Sequence, residues 1–132
     1  MVNAQSWVAA LEAAWRRRDP EGVAALFTAD AAYHRGPFEP PYRGTAAISA
    51  HWAATLARQA GARIWFGPVT ETGPAAVVEF WCVLHDPATG TPRTAAGCVR
   101  MRFAPDGRCA EFREYWQAVF DQAVEPPEGW LR

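Results

Sequence analysis

The sequence predicts an α+β domain, a cone-shaped roll in which three N-terminal helices pack on a curved antiparallel sheet and enclose a pocket. Apolar residues recur at helical spacing in the first 60 residues, and from residue 62 onward the period changes to two. Three short connections rich in Gly, Pro and Asp separate the later segments, as in antiparallel hairpins. Because 132 residues is near the commonest size of one domain, we expect a single domain over residues 1–132.

The three N-terminal periodic segments are predicted as helices. Residues 6–18 carry apolar side chains on one helical face. Asp19 is a favoured cap for a second helix, whose apolar stripe extends to Phe27. Thr45 is expected to cap a third helix that stops at Gly61. Helices followed by a run of strands are typical of the α+β class.

The predicted strands are one short segment before the third helix and four longer ones after it. Their ranges are 32–35, 63–70, 75–85, 91–103 and 108–120. The last two are expected to pair with Phe103 opposite Arg108, which places Gly97 opposite Glu114. This register gives an apolar face under the helices and a charged face outside. It also turns Glu114 inward, among apolar neighbours.

Composition and charge favour some function classes over others. The net charge is -1, and the only basic run, residues 16–18, lies at a helix end, so we expect no nucleic-acid partner. No apolar stretch approaches the ~20 residues that span a bilayer, and no signal pattern opens the chain, so a cytoplasmic protein without membrane contact is expected.

Cys82, Cys98 and Cys109 are widely spaced and are expected to be reduced and mostly buried. Without a close cysteine pair, a phosphate loop or a His-x-x-x-His pattern, we expect no metal and no cofactor.

Several short strings, in this order, resemble the nuclear transport factor 2-like superfamily and, within it, the SnoaL-like bacterial proteins. The strings are residues 26–31 (LFTADA), 44–48 (GTAAI), 106–108 (DGR) and 113–116 (REYW). The resemblance covers nearly the whole chain and implies the cone-shaped roll. The resemblance does not indicate which activity the chain has, because the superfamily includes isomerases, dehydratases, cyclases, epoxide hydrolases and non-enzymatic binders.

Ketosteroid isomerases share this scaffold, and their key side chains can be placed on the sequence through the resemblance. Their inward tyrosine falls at about Leu11, and their general base at about Arg35, or at His34 in a different loop alignment. Their protonated aspartate falls at about Val99. All three groups are absent, so isomerisation by that mechanism is not expected.

Epoxide hydrolases of the same fold offer a closer match at one position. Their acidic residue on the last strand resembles Glu114. They also need an Arg-x-Asp pair on a neighbouring strand, and residues 78–82 contain none.

Glu114 is the strongest candidate for chemistry. Burial disfavours the charged form of a carboxyl group and moves its pKa toward values useful for acid–base catalysis. His34 or Arg35 would then polarise the substrate; since neighbours on a strand face opposite ways, only one should point inward. The alternative is structural: His34, Arg35, Tyr33 or a loop donor merely satisfies the carboxylate.

The predicted pocket wall is apolar and aromatic, which suits a small apolar or aromatic molecule. Its expected members are Tyr33, Trp52, Leu56, Phe80, Val99, Phe112 and Trp116. His51 precedes Trp52 on the third helix and is expected to face solvent.

The outer face of the sheet is predicted to form a homodimer interface. Trp81 and Val83 on that face are too apolar for bare solvent.

The sequence leaves two functions open. One is a cofactor-independent cyclase, isomerase or hydrolase that uses Glu114, and the other is a non-catalytic module for hydrophobic-ligand binding or dimerisation.

Overall fold

The computed structural model describes residues 3–130, which form three helices and six strands. In chain order the elements are α1 (Ala4–Arg16), α2 (Pro20–Ala24), β1 (Phe27–His34), β2 (Tyr42–Arg43), α3 (Thr45–Ala57), β3 (Ala60–Thr72), β4 (Ala75–His85), β5 (Pro92–Phe103) and β6 (Cys109–Phe120). The α+β class with three helices on one curved sheet is confirmed.

The helix starts follow local capping chemistry, with one correction. The Asp19 side chain accepts a hydrogen bond from the Gly22 amide at 3.0 Å, so the predicted cap of α2 is confirmed. Thr45 is not a cap: Gly44 takes that position at φ +84°, without any side-chain bond. Glycine suits the position because other residues are strained at positive φ.

The second helix is shorter than predicted, and Phe27 belongs to a strand. α2 ends at Ala24, and the Leu26 carbonyl accepts a hydrogen bond from the Cys109 amide at 2.9 Å. Phe27 is fully buried at the start of β1, opposite Cys109. Sheet pairing with a distant strand therefore overrides the local helical spacing, which could not be seen from the segment alone.

The sheet has the strand order β2-β1-β6-β5-β4-β3. β1 and β6 run parallel, whereas every other neighbouring pair among the described strands is antiparallel. The expectation of a wholly antiparallel sheet is thus corrected at one pair. That pair places the end of β1 directly beside the first half of β6, with Tyr33 opposite Phe112.

The predicted register of the last hairpin is wrong by two residues. Val99, not Gly97, lies opposite Glu114, because the pairing starts from Phe103 and Cys109 and an irregularity follows at Arg102. Since side chains alternate with period two, a slip of two residues leaves every side chain on its predicted face. Glu114 therefore still faces inward.

Gly97 allows β5 and β6 to approach closely. A Cβ atom at this position would lie 1.9 Å from the Tyr115 carbonyl oxygen and 2.6 Å from the Trp116 Cα. No side chain could be accommodated without moving the β6 backbone. Gly97 thereby helps to set the course of the strand that carries Glu114.

The C-terminal tail crosses part of the outer face. The Trp81 indole donates to the Val124 carbonyl at 2.6 Å, and Trp130 packs edge-on against Trp81 at 6.1 Å. The Thr94 hydroxyl donates to the Gln122 carbonyl at 2.9 Å. The tail therefore contacts Trp81, and Val83 is fully buried, so neither of the apolar residues that suggested a dimer is left bare on this face.

Candidate functional site

A cavity of about 260 Å³ lies between α1, α3 and the inner face of the sheet. This is just below the ~300–1,000 Å³ range of small-molecule pockets. Eight of the ten residues predicted from the sequence line it, namely Tyr33, Arg35, Trp52, Phe80, Val99, Phe112, Glu114 and Trp116. His34 and Leu56 are the two that do not.

Glu114 lies on the inner face of β6 with Tyr33 as its direct partner. The Tyr33 hydroxyl donates a hydrogen bond to the Glu114 Oε2 atom. Tyr33 is 1% exposed and its ring stacks on that of Phe112, with 4.6 Å between centroids. The parallel pairing of β1 with β6 sets Tyr33 beside Phe112 and so within reach of Glu114, two residues further along.

Burial controls the protonation of this pair. Loss of hydration raises the pKa of Glu114 from 4.5 to about 7, against the opposing effects of hydrogen bonds from Tyr33 and Trp116 and of the Arg35 charge. The pKa of Tyr33 is raised well above its usual range, by burial first and by the Glu114 charge second. Near neutral pH the Glu114 carboxyl group can therefore either give or accept a proton, while Tyr33 stays a donor.

Arg35 and His34 separate as the alternation of the strand requires. Arg35 lines the cavity and forms an ion pair with Glu39. His34 lies opposite Arg113 in the β1–β6 pair, on the other face of the sheet. Its pKa is lowered by burial first and by the Arg113 charge second. Of the two candidates, only Arg35 is positioned to meet a molecule in the cavity.

Leu56 contributes to the core instead of the cavity wall. It is 4% exposed and belongs to the main apolar cluster. Its carbonyl accepts a hydrogen bond from the Arg18 side chain at 2.6 Å, which ties the end of α3 to the chain after α1.

His51 was expected to face solvent, and the structure places it in the cavity wall. Its ring stacks on Tyr42 at 4.3 Å and lies 5.2 Å from the Tyr33 ring. Burial is the main cause that lowers its pKa to about 4, so it is neutral at physiological pH. Helical spacing groups His51 with Thr55 and Arg58 at i, i+4 and i+7, and all three line the cavity, but the spacing alone does not indicate that this side of α3 meets a cavity.

Two tryptophans in the cavity wall differ in their hydrogen bonding. The Trp15 indole donates to the buried Gln59 side chain at 3.0 Å. The Trp52 indole nitrogen is buried, and no acceptor for it is found among residues 3–130. Trp52 lines the same cavity as Tyr33 and Glu114, and its side chain opposes the rise in the Tyr33 pKa that burial causes.

Two arginines in the wall were not singled out by sequence reasoning. Arg58 caps the C-terminal end of α3, and Arg93 lies near the start of β5; both line the cavity. Arg93 shares its inward parity with Ala95 and Val99, and that alternation was the available signal.

The described residues contain no group of three or more His, Cys, Asp or Glu side chains that could hold a metal ion. No helix within residues 3–130 has the length and hydropathy needed to cross a membrane. Cys82, Cys98 and Cys109 are free, and burial raises the pKa of Cys82 and Cys109 to about 12, which makes both thiols unreactive.

Comparison with known proteins places the chain in one family. The profile of the SnoaL-like domain matches residues 8–112. No curated protein sequence matches the chain.

Several solved structures share the fold. A hypothetical protein with a ketosteroid isomerase-like fold from Catenulispora acidiphila, in complex with trimethylamine, is 22% identical, with a TM-score of 0.74 over 83% of each chain. SalBIII, an epoxide hydrolase/cyclase-like enzyme of pyran ring formation in salinomycin, is 17% identical, with a TM-score of 0.72 over 89% of this chain and 95% of its own. An NTF2-like protein of unknown function from Burkholderia pseudomallei is 22% identical, with a TM-score of 0.75 over 89% of this chain and 92% of its own. At these identities the likeness is one of fold alone.

Proposed function

Because the chain belongs to the SnoaL-like domain family, we propose that it is a cofactor-independent enzyme that moves a proton on a small apolar substrate, with Glu114 as the acid–base group. The reaction would be a cyclisation, an isomerisation or a hydrolysis. One observation carries the proposal: a single carboxyl group with a pKa of about 7 lies in an apolar cavity, bonded to a buried tyrosine. Perturbed carboxyl groups in clefts are typical of catalytic sites.

The residues around Glu114 suit a proton that leaves the substrate and later returns to it. As a carboxylate, Glu114 would accept a proton from a substrate carbon or hydroxyl group, and the hydrogen bond from Tyr33 would stabilise its charge. The protonated form would then deliver the same proton to another substrate atom. Arg35, in the same cavity, would stabilise negative charge that develops on a substrate oxygen. In a cyclisation or an isomerisation this cycle consumes no external reagent; in a hydrolysis Glu114 would take the proton from one water molecule, whose oxygen adds to the substrate.

The fold neighbour SalBIII supports ring closure or epoxide opening as reaction classes to test first, since its name describes an epoxide hydrolase/cyclase-like enzyme. Opening an epoxide requires an acid for the oxygen or a base for the attacking hydroxyl group. Glu114 could supply either one. The Arg-x-Asp pair expected of epoxide hydrolases is missing from residues 78–82, and the carboxylate of that segment, Glu79, is exposed and does not line the cavity.

The first experiment measures proton transfer on uncharged probes that fit the cavity. Acetophenone and 2-tetralone report base catalysis through exchange of their α-protons with deuterated solvent, and styrene oxide reports ring opening. We expect at least one probe to react above the buffer rate. Glu114→Gln should lower that rate by roughly 10²–10⁴-fold, the usual contribution of a general acid–base group.

Glu111→Gln is the matched control, because Glu111 lies on the same strand and forms its ion pairs with Arg100 and Arg113, away from the cavity. It should leave the rate unchanged. A Glu114→Gln variant that folds and reacts as fast as the wild type would remove Glu114 from the mechanism.

A non-catalytic binding module is the second candidate, and one observation favours it. Tyr33 already satisfies Glu114, so the pair could simply be a structural element of an apolar binding cavity. This reading predicts buffer-level rates with every probe, together with acetophenone affinity that Glu114→Gln leaves unchanged. Under this reading acetophenone should raise the melting temperature of the wild type and of Glu114→Gln by the same amount, and no shift in either protein would count against it.

We also propose, as expected from the sequence, a homodimer through the outer sheet face and a cytoplasmic location. Because the tail contacts Trp81 and Val83 is already buried, the dimer is supported by other apolar residues of that face. Val77, Tyr115 and Val119 are each at least 40% exposed. Exposed apolar residues on one face favour a partner surface.

A further inference from the structure

The cavity carries more positive than negative charge. Arg35, Arg58 and Arg93 line it, whereas Glu114 is its one acidic side chain among residues 3–130. Arg35 is paired with Glu39, which leaves Arg58 and Arg93 as the cavity arginines without an ion pair among residues 3–130.

Neither of these two arginines has a partner within the described chain. No ion pair or side-chain hydrogen bond is found for either among residues 3–130, although Arg18 and Arg35 nearby both have one. Asp86 and Asp121 share a second, smaller hollow with both arginines, but neither forms an ion pair with them within residues 3–130. The Asp86 carboxylate instead accepts hydrogen bonds from the amides of Ala88 and Thr89 at 2.8 and 3.0 Å. The position of Arg58 at the end of α3 suits the helix dipole, but this does not account for Arg93.

The two arginines and Glu114 lie at opposite ends of the cavity. Arg93 is opposite Phe120 on β6, six residues along the strand from Glu114. At ~3.4 Å per residue the backbone positions are about 20 Å apart. Between them the inward residues of the hairpin are apolar, namely Ala95, Trp116 and Ala118. Phe120 itself is 67% exposed and borders both hollows, so this end is the mouth.

We infer that the ligand is an elongated apolar molecule with a carboxylate at one end, which Arg58 and Arg93 bind at the mouth while the body extends toward Glu114. The inference rests on the proposed function for the identity of the reacting end, but the binding of the carboxylate does not depend on catalysis. Guanidinium groups form paired hydrogen bonds with carboxylates. The apolar side chains around Glu114 disfavour a buried charge, so the acidic end of the ligand would stay at the mouth, and this fixes its direction.

The test compares decanoate with decanol, which differ in charge but have the same chain length. Affinities for both are measured by calorimetry on the wild type, on the double variant Arg58→Gln/Arg93→Gln and on Arg102→Gln. Arg102 is the matched control because it lies exposed on the outer face of β5 and lines neither hollow. We expect decanoate to bind the wild type more tightly than decanol does. The double variant should weaken decanoate by more than ~10-fold and decanol by less than ~2-fold, while Arg102→Gln changes neither.

Salt dependence provides a second measurement that needs no variant. Added sodium chloride should weaken decanoate binding to the wild type and leave decanol binding unchanged. Equal affinity for the two ligands, equal losses in the double variant, or no decanoate binding at all would each overturn the inference. None of these results bears on Glu114, because its role is tested with uncharged probes. Conversely, if decanoate binds as expected but none of the uncharged probes reacts above the buffer rate, only the proposed catalysis is overturned.

Discussion

At the scale of single residues, the site depends on one buried contact between two strands. Glu114 would be an ordinary carboxylate in water, and its protonation near neutral pH follows from the apolar surroundings that Phe112, Val99 and Trp52 provide. Tyr33 limits this effect because it donates to the charged form. The sequence could predict that Glu114 faces inward, since alternation alone decides that. It could not predict which of Tyr33, His34 and Arg35 would be the partner, because that depends on the parallel pairing of β1 with β6.

The raised pKa of Glu114 has a consequence for stability. The folded state holds the proton up to pH ~7, whereas the unfolded chain releases it near pH 4.5. The stabilisation from the neutral form is therefore complete below pH 4.5, decreases as the pH rises, and is lost above pH 7.

We expect Glu114→Gln to remove this dependence. The free energy of unfolding of Glu114→Gln minus that of the wild type should increase by roughly 2–3 kcal/mol as the pH rises from 4.5 to 8, because only the wild type loses stability over this range. Urea denaturation at a series of pH values measures the difference. The lowered pKa of His51 makes both proteins lose stability as the pH falls. This contribution is the same in the wild type and the variant, so it cancels in the difference. Parallel curves for the two proteins would mean that Glu114 ionises alike in the folded and unfolded states.

At the scale of elements, the two strands of the last hairpin position the site. Their register slipped by two residues from the expected one without changing faces, so the inward residues were predicted correctly from a wrong alignment. Helix α3 is the opposite case, because its helical period was predicted correctly but its cavity-facing side was not. Its spacing was visible, but the cavity lies against the side that carries His51, Thr55 and Arg58, and no local pattern reveals where a cavity will be.

Gly97 is the residue on which the close approach of β5 and β6 depends. In Gly97→Ala the new methyl group would meet the Tyr115 carbonyl oxygen at 1.9 Å, and a backbone atom cannot yield as a side chain can. We expect a loss of at least about 1–3 kcal/mol in the free energy of unfolding, measured by urea denaturation.

Gly36→Ala is the control for that substitution. A methyl group there meets only the flexible Glu39 side chain, at 3.3 Å, and its backbone conformation is ordinary. Its effect should stay within about 0.5 kcal/mol. If Gly97→Ala were equally mild, the strands would have room that their packing does not show.

At the scale of the whole molecule, the order of elements is what the sequence could predict best. Three helices followed by four long strands, with turn residues between them, already imply a sheet covered on one face. The route of the tail could not be predicted from the sequence, because it depends on hydrogen bonds from Trp81 and Thr94, on two different strands, that no local pattern encodes. Trp130 packs on Trp81 at the end of this route. The homodimer stays a prediction, now resting on the uncovered part of that face.

The central claim is that the fold keeps the Glu114 carboxyl group among apolar side chains and so protonated up to neutral pH. Carbon-13 NMR titration of the glutamate side chains, with Glu114→Gln used for assignment, measures this directly. We expect a pKa of about 7 for Glu114 in the wild type and a higher value in Tyr33→Phe, which removes the donor to the carboxylate. Glu111, whose pKa is lowered by its bond to Arg113, serves as the reference in the same spectra. A Glu114 pKa near 4.5 in both proteins would contradict the claim.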